Sequence, residues 1–280
     1  MDKDRFSTGT FNTDFPLSAR IEFLVDRGIT QIELSGGNHE KNWQSTLASF
    51  PGIDFSFHNY FPPPESEFVF NLASNDPEVR TASINHCKNA IRLTSEYGHK
   101  LFSFHAGFCF DPTPESLGKK LESNSLVLRH ELASEIFSRS LDVVTTFAER
   151  YQVMPLVENN VLTRSTSSKW GEYSLLLTTS EELELLSQRW GSGLGILLDV
   201  GHLRVSSNTH GKDFESELEK GLAIANALHI HSNNGLEDEH LGITGSETWW
   251  PKVEAVHQLP WTFEVKPSEV TKTIERARAL

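Results

Sequence analysis

The stretch 227–241, ALHIHSNNGLEDEHL, concentrates side chains that bind divalent metals. It contains His229, His231 and His240, together with the carboxylate of Asp238. Neutral imidazole and carboxylate are the usual protein ligands for zinc and similar cations. The stretch begins as an apolar strand, so most of these groups lie at or beyond a strand end. It predicts a metal site there, provided that other segments supply partners.

Other short apolar runs also end on an imidazole or a carboxylate. IDFSFH at 53–58, KLFSFH at 100–105 and GILLD at 195–199 are examples. Taken singly, such a residue is usually a cap or a satisfied polar group. A series of such residues at the ends of successive strands is harder to explain as caps or satisfied polar groups. The candidate ligands are His58, His105, Glu158, Asp199 with His202, His231, Asp238 with His240, and Glu264.

The elements that must position these residues are strands and helices in alternation. We expect strands at 5–10, 29–34, 53–58, 100–104, 154–157, 195–198, 227–231 and 261–265. We expect helices at 16–27, 42–50, 76–97, 180–189, 213–225 and 247–258, mostly helix over 117–150, a last helix from 268, and a loop over 161–179. Asp76 is the expected cap of its helix, with Pro77 at the first position, and Ser180 is another expected cap.

Alternating strands and helices predict a parallel sheet. About eight such units without a linker favour a single α/β domain over 1–280, a closed (β/α)8 TIM barrel. An open doubly wound sheet is the alternative. No G-x-G-x-x-G loop follows any expected strand, which weakens the nucleotide-binding form of that alternative.

In a barrel, the candidate ligands converge on one mouth, because active sites are built at the C-terminal ends of the strands. Uncompensated charges there are costly unless cations neutralise them. His229 and His231 point to the same face of their strand. We expect the outer one, His231, to be the ligand and His229 to support a ligating carboxylate. Glu158 and Glu264 come from opposite sides of the barrel and are placed to flank a substrate.

The composition narrows the classes of partner. A formal charge of −13 argues against broad electrostatic binding of nucleic acid and leaves room for a local basic patch. Only two cysteines are present, and neither a membrane-spanning run nor a signal peptide is evident, so we expect a cytoplasmic protein without a membrane partner. The aromatic residues Phe61, Trp249 and Trp250 suggest an interface, as in a homo-oligomer, or a substrate wall, with packing an equal alternative.

The pattern resembles the xylose isomerase-like TIM barrels, a superfamily of sugar and sugar-phosphate isomerases and epimerases that also includes endonuclease IV. The resemblance covers the third to the eighth strand. Its motifs are SFH at 56–58, FNLAS at 70–74, FSFHAG at 102–107, VENN at 157–160, LLDVGH at 197–202, HIHSNNGLEDEHL at 229–241 and FEVKP at 263–267.

The resemblance implies one to three divalent ions, of zinc, manganese or magnesium. In epimerase-like members one ion is held by residues that match Glu158, Asp199, His231 and Glu264, and the two glutamates also move a proton at the carbon next to a carbonyl. Endonuclease IV motifs match His58 and His105 with Glu158 for a second ion. For a third ion they match His202, Asp238 and His240. We expect substrate contacts from His229, Asn159 and Lys266.

Three functions remain open. Three features favour an isomerase or epimerase that acts on a small-molecule sugar. They are the net negative charge of the chain, the long loop NYFPPPESEF, and the segments HSNNGLEDEHL and EVK. Other features favour an endonuclease IV-like, zinc-dependent hydrolase of abasic-site DNA. They are the segment FNLAS before a long helix, the segment FHAG and the full set of candidate ligands. A non-catalytic or lyase-type barrel is the third alternative.

Overall fold

The computed structural model describes residues 5–116 and 121–278, and it contains eight parallel strands that are each three to five residues long. These are β1 Arg5–Ser7, β2 Gln31–Leu34, β3 Asp54–Phe57, β4 Leu101–His105, β5 Met154–Glu158, β6 Gly195–Asp199, β7 Ala227–Ile230 and β8 Trp261–Phe263.

The strands form a nearly closed barrel. Their spatial order is β3-β2-β1-β8-β7-β6-β5-β4, with parallel pairing between neighbours. The two end strands meet through a single parallel bridge between His58 and Ser103, and the Asn59 amide donates to the Ser103 carbonyl at 2.7 Å. The predicted (β/α)8 TIM barrel is confirmed.

Helices cover the outside of the barrel. They are α1 Leu17–Val25, α2 Trp43–Ala48, α3 Pro77–Glu96, α4 His130–Glu149, α5 Arg164–Trp170, α6 Ser180–Trp190, α7 Val200–Thr209, α8 Phe214–Ile224, α9 Trp250–Glu254 and α10 Val270–Ala277. The start of α3 is as predicted: the Asp76 side chain accepts from the Glu78 amide, and Pro77 occupies the first turn. Among the described residues, none of the helices combines the length and apolar character that a membrane span requires.

Three helical expectations were wrong. The helix expected over 117–150 begins only at His130; residues 117–120 of that prediction lie outside the described residues. Before α4, the Ser123 hydroxyl donates to the Asp111 carbonyl and the Ser125 hydroxyl accepts from the Asp111 amide, and these bonds hold the segment against an earlier loop instead of in a helix. The supposed loop 161–179 contains α5, and α6 is capped by Thr179 rather than Ser180, with Glu182 completing a capping box.

Helix α7 was not expected, and it matters most for the site. It begins directly after β6, and the Asp199 carboxylate caps it by accepting from the His202 amide at 2.6 Å. Asp199 is therefore both the last residue of β6 and the N-cap of α7. Asp199 and His202 consequently lie one helical turn apart at the barrel mouth.

Apolar side chains fill both sides of the strands. Leu101, Met154, Leu156, Leu197 and Ala227 pack together inside the barrel as a cluster separate from the main core. The main core lies between strands and helices and includes Phe61, Trp249 and Trp250, which are at most 2% exposed. These three aromatic residues are packing residues, so the packing alternative is confirmed over an interface or substrate wall.

Replacing Phe104, which is fully buried in β4, with alanine is expected to lower the free energy of unfolding by about 3–5 kcal/mol, because an aromatic ring leaves the main core. Phe15 is 56% exposed, so Phe15→Ala is a matched control with an expected change below about 0.5 kcal/mol. Urea denaturation measures both values. A similarly small loss of unfolding free energy in the two variants would contradict the burial of Phe104 in the main core.

Candidate metal centre and active site

The C-terminal strand ends form one polar layer at the barrel mouth. The register sets His105 opposite Glu158 and Asp199 opposite His229. Facing ligand atoms, all within 4.8 Å of one another in each set, define four groups among the described residues; one is Glu33, His58 and His229, and the other three are as follows. The first group is His58, His105 and Glu158; the central group is Glu158, Asp199, His229 and Glu264; the lateral group is His202, His231, Asp238 and His240.

The first group has two imidazoles on one carboxylate oxygen. His58 Nε2 and His105 Nδ1 each lie 3.2 Å from Glu158 Oε2. The other nitrogen of His58 is 2.8 Å from the Ser103 hydroxyl, which holds the ring in place. His58 and Glu158 are buried, whereas the His105 side chain is 32% exposed. The first group therefore has one side open to solvent.

The central group surrounds one nitrogen of His229. Its Nδ1 atom lies 3.3 Å from Glu158 Oε1, 3.6 Å from Glu264 Oε2 and 4.0 Å from Asp199 Oδ2. Three carboxylates with one imidazole are donors that suit manganese, magnesium or zinc.

Glu33 contacts the central group through the far side of the His229 ring. Its Oε1 atom lies 3.0 Å from His229 Nε2, on the opposite side of the ring from Glu158. A carboxylate in this position fixes the tautomer of an imidazole and raises its basicity as a ligand. Glu33 was not among the candidate ligands predicted from the sequence. Its inward position near the end of β2 was the available signal.

The lateral group is centred on Asp238. Its Oδ2 atom lies 3.3 Å from His202 Nε2 and 3.1 Å from His240 Nε2. His231 Nε2 lies 3.5 Å from the other carboxylate oxygen and 3.1 Å from Asp199 Oδ1. His231 therefore links the lateral group to the central group.

The two histidines of β7 both reach the central carboxylates. We expected His231 to be the central ligand and His229 a supporting or substrate-contacting residue; His229 Nδ1 faces Glu158, His231 Nε2 lies 3.1 Å from Asp199 Oδ1, and the choice of ligand between them stays a prediction. His229 is level with Asp199, and His231 lies past the end of the strand, against α7. A Cβ atom on Gly201 of α7 would come within 2.0 Å of the His231 ring, so glycine makes this position possible.

Asn159 supports the strand ends instead of facing a substrate. Its side-chain amide donates to the Asp199 carbonyl at 3.0 Å and accepts from the Asp199 amide at 2.8 Å. Both ends of this buried side chain are thereby used, contrary to its expected role in substrate binding. Lys266 has an exposed side chain at the end of β8, and its substrate contact stays a prediction.

Mutual attraction keeps the buried groups charged. Burial opposes ionisation of Glu158, but the imidazoles of His105 and His229 outweigh it and hold the pKa of Glu158 below its ordinary value. Glu264 also has a pKa well below the ordinary value, because His229 overcomes the effect of burial. Burial likewise disfavours charge on His229, yet Glu33 and Glu158 raise its pKa well above the usual range. The carboxylates are therefore anionic at neutral pH, and protons on histidines balance them where no cation does.

Several buried atoms lack a hydrogen-bonding partner of suitable geometry within the described part of the chain. They include both carboxylate oxygens of Glu158, Asp199 Oδ2, His229 Nδ1 and His231 Nε2. Orphaned buried polar atoms are costly, and a cation placed among them satisfies several at once. The residues present therefore fit divalent metal ions.

The comparison with protein families agrees with this architecture. A family model described as xylose isomerase-like TIM barrel matches residues 22–263. The chain belongs to this family. Among relatives of the xylose isomerase-like chain, an uncharacterized protein of Methanocaldococcus jannaschii is 24% identical over 239 residues, which are 85% of this chain and 80% of that protein. A probable endonuclease 4 of Persephonella marina is 26% identical over 235 residues, covering 77% and 74% of the two chains.

Solved structures share the xylose isomerase-like fold over nearly the whole chain. A D-tagatose 3-epimerase-like protein has a TM-score of 0.70 at 19% identity, covering 99% of this chain and 96% of that one. The 3-keto-D-glucoside 4-epimerase of E. coli has a TM-score of 0.68 at 12% identity, covering 99% of both chains. At these identities, the likeness establishes the fold.

Glu33→Gln preserves the shape of the side chain and removes the charge that faces His229. We expect the affinity for one equivalent of Mn²⁺ to fall about 10–100-fold, because the imidazole loses the carboxylate that orients it. Isothermal titration calorimetry measures this change. Glu149→Gln, at an exposed position on α4, is the control. An unchanged affinity in Glu33→Gln would show that the contact does not act on a metal ligand.

Proposed function

We propose that this chain is a divalent-metal-dependent isomerase or epimerase of a sugar or sugar derivative. The observation that carries the proposal is the pair of glutamates at the mouth. Glu158 ends β5, Glu264 follows β8, and both direct a carboxylate oxygen toward the same nitrogen of His229. Two anionic carboxylates that converge in a buried site are the components of a two-base proton transfer.

The central group, with Glu158, Asp199, His229 and Glu264, would hold the ion. When bound, the ion would polarise a substrate carbonyl and the neighbouring hydroxyl, so that the adjacent C–H becomes acidic. One glutamate removes that proton, and the other delivers a proton to the same carbon on the opposite face or to its neighbour. The pKa values of Glu158 and Glu264 lie below the ordinary value, so both carboxylates start ionised at neutral pH, and the glutamate that delivers a proton must first take one up from the substrate or solvent.

Charge and resemblance support a small sugar as substrate. The formal charge is −13, which is unfavourable for gripping a nucleic acid through its phosphates. The solved structures that share the fold include proteins named as sugar epimerases. The His105 side chain, which contacts Glu158, is 32% exposed, so this side of the buried glutamate borders solvent.

A second candidate is zinc-dependent phosphodiester hydrolysis, as on abasic-site DNA. The specific observation in its favour is that the three groups form a continuous row: Glu158 is shared by the first and central groups, and Asp199 contacts His231 of the lateral group. Clustered ions activate water and stabilise a leaving oxygen in such reactions. The relative named as a probable endonuclease 4 points in the same direction.

Proton exchange distinguishes the proposed reaction. Incubation in D₂O with Mn²⁺, Mg²⁺ or Zn²⁺ and a panel of ketoses, aldoses and their phosphates is expected to place deuterium on a carbon next to the carbonyl of one sugar. NMR or mass spectrometry detects the label. A complete lack of exchange across the panel with every metal would sink the proposal.

Glu264→Gln is expected to reduce that exchange about 10²–10⁴-fold, because the amide cannot act as a base. Circular dichroism is expected to show a retained fold. Glu275→Gln, on the exposed surface of α10, is the control. Full exchange in the Glu264 variant would remove this residue from the reaction.

A zinc-loaded sample incubated with an abasic-site duplex tests the second candidate. The isomerase proposal predicts that the duplex stays intact at high protein concentration. Strand cleavage that is lost in Asp238→Asn would instead establish the hydrolase and assign the lateral group to it.

A further inference from the structure

Helix α1 contains a buried arginine at a position where an apolar residue is expected. The buried residues of this helix are Leu17, Arg20, Ile21 and Leu24, which follow the spacing of a core-facing stripe. Arg20 is only 2% exposed, and its Nε and Nη1 atoms have no hydrogen-bonding partner within the described part of the chain. A guanidinium stays charged at neutral pH, so its burial is costly unless an anion compensates the charge.

The acidic neighbour of Arg20 is engaged elsewhere. Burial lowers the pKa of Arg20, and the negative charge of Glu40 offsets only part of this effect. Glu40 Oε1 accepts from the Leu17 amide at 2.6 Å, at the start of α1. Among residues 5–116 and 121–278, no carboxylate forms an ion pair with Arg20. The guanidinium therefore keeps donors that a bound anion could use.

The end of the Arg20 side chain lies against a glycine turn that follows β2. A Cβ atom on Gly37 would come within 2.3 Å of Nη2 and 2.7 Å of Nη1, so glycine leaves the room that the guanidinium occupies. The amides of Gly36 and Gly37 donate to no other described residue. A Cβ atom on Gly36 would meet no atom within 4 Å, so the turn borders open space. Free amides beside a guanidinium are donors that suit an oxyanion.

The glycine turn is joined to the barrel mouth near Glu264. The Thr8 hydroxyl donates to the Ser35 carbonyl at 3.2 Å and accepts from the Ser35 amide at 3.0 Å, which fixes the residue before the turn. A Cβ atom on Gly9 would lie 2.4 Å from Glu264 Oε1 and 3.3 Å from Ser35 Oγ, so Ser35 and Glu264 border the same small space. Gly37 is two residues from Ser35, a step of at most about 7 Å. An open-chain sugar is long enough to connect the two places.

We propose that Arg20 and the Gly36–Gly37 turn form an anion site, which holds a phosphate or carboxylate group at one end of the substrate while Glu264 acts at the other end. Arginine is the cation best suited to a buried pair with either group. The formal charge of −13 would otherwise repel a negatively charged substrate, so such a substrate needs a local cation. The anion site is independent of the reaction, and only its link to a sugar rests on the proposed function.

Inorganic phosphate probes the site without any sugar. Crystals of the unaltered protein soaked with inorganic phosphate are expected to show a phosphate bound to the guanidinium of Arg20. Phosphate found only among the metal-binding groups, or no bound phosphate, would overturn the site.

Arg20→Met replaces the charge with an apolar side chain of similar length. We expect the Tm in phosphate-free buffer to stay the same or rise, because an unpaired buried charge is removed. Inorganic phosphate is expected to raise the Tm of the unaltered protein more than that of the variant. Arg139→Met, on α4 with a side chain that is 74% exposed, is the matched control and is expected to respond as the unaltered protein does. A lower Tm of Arg20→Met with an unchanged response to phosphate would assign Arg20 a structural role and overturn the proposal.

The deuterium-exchange panel, extended to sugar acids, links the site to the substrate. We expect exchange with a sugar phosphate or a sugar acid and none with neutral sugars, and the active class identifies the anion. Arg20→Met is expected to raise the KM for that substrate about 10–100-fold, with a smaller change in kcat. Exchange with neutral sugars alone would overturn the link to the substrate and leave the proposed function standing. Phosphate on Arg20 without exchange of any sugar would support the anion site and remove the proposed function.

Discussion

The buried carboxylate of Glu158 is the constraint on which the rest of the site depends. It is fully removed from solvent, and imidazoles face it from several sides, among them His58 and His229. A lone carboxylate in such a place would be strongly destabilising, so the surrounding residues must supply positive charge. Protons on histidines and divalent cations are two interchangeable ways of meeting this demand. The mouth of the barrel is therefore built around charge balance as much as around shape.

The barrel meets that demand through its regular geometry. Parallel strands bring their C-terminal ends to one rim, and residues two apart share the interior, so polar side chains collect above an apolar layer. Small features then refine the positions. Asn159 ties the end of β5 to that of β6, the Asp199 carboxylate starts α7, and Gly201 leaves room for His231. Each contact is local, yet together they decide which imidazole meets which carboxylate.

The sequence was sufficient for the fold and for the set of residues that gather at the barrel mouth, because both follow from patterns with a period of two and from the order of the elements. The sequence was insufficient to assign these residues to the first, central and lateral groups. His229 and His231 have the same direction from the strand, and only the pairing of Asp199 with His229 shows which of them is level with the central carboxylates. Helix α7 was missed because Asp199, which caps it, was interpreted only as a candidate ligand at the end of β6. The start of α4 depended on the hydrogen bonds of Ser123 with a distant loop, which no local pattern contains.

The closure of the barrel has a mechanical consequence. Among the described residues, β3 and β4 meet through one bridge, between His58 and Ser103, so this seam has fewer paired residues than the junctions between the other strands. The residue at the seam is also a candidate ligand, and its ring reaches across to Glu158 on β5. An ion held between His58 and Glu158 would cross-link the strands and stabilise the barrel at the junction with the fewest paired residues. Occupancy of the first group and the integrity of the barrel wall would then be one coupled property.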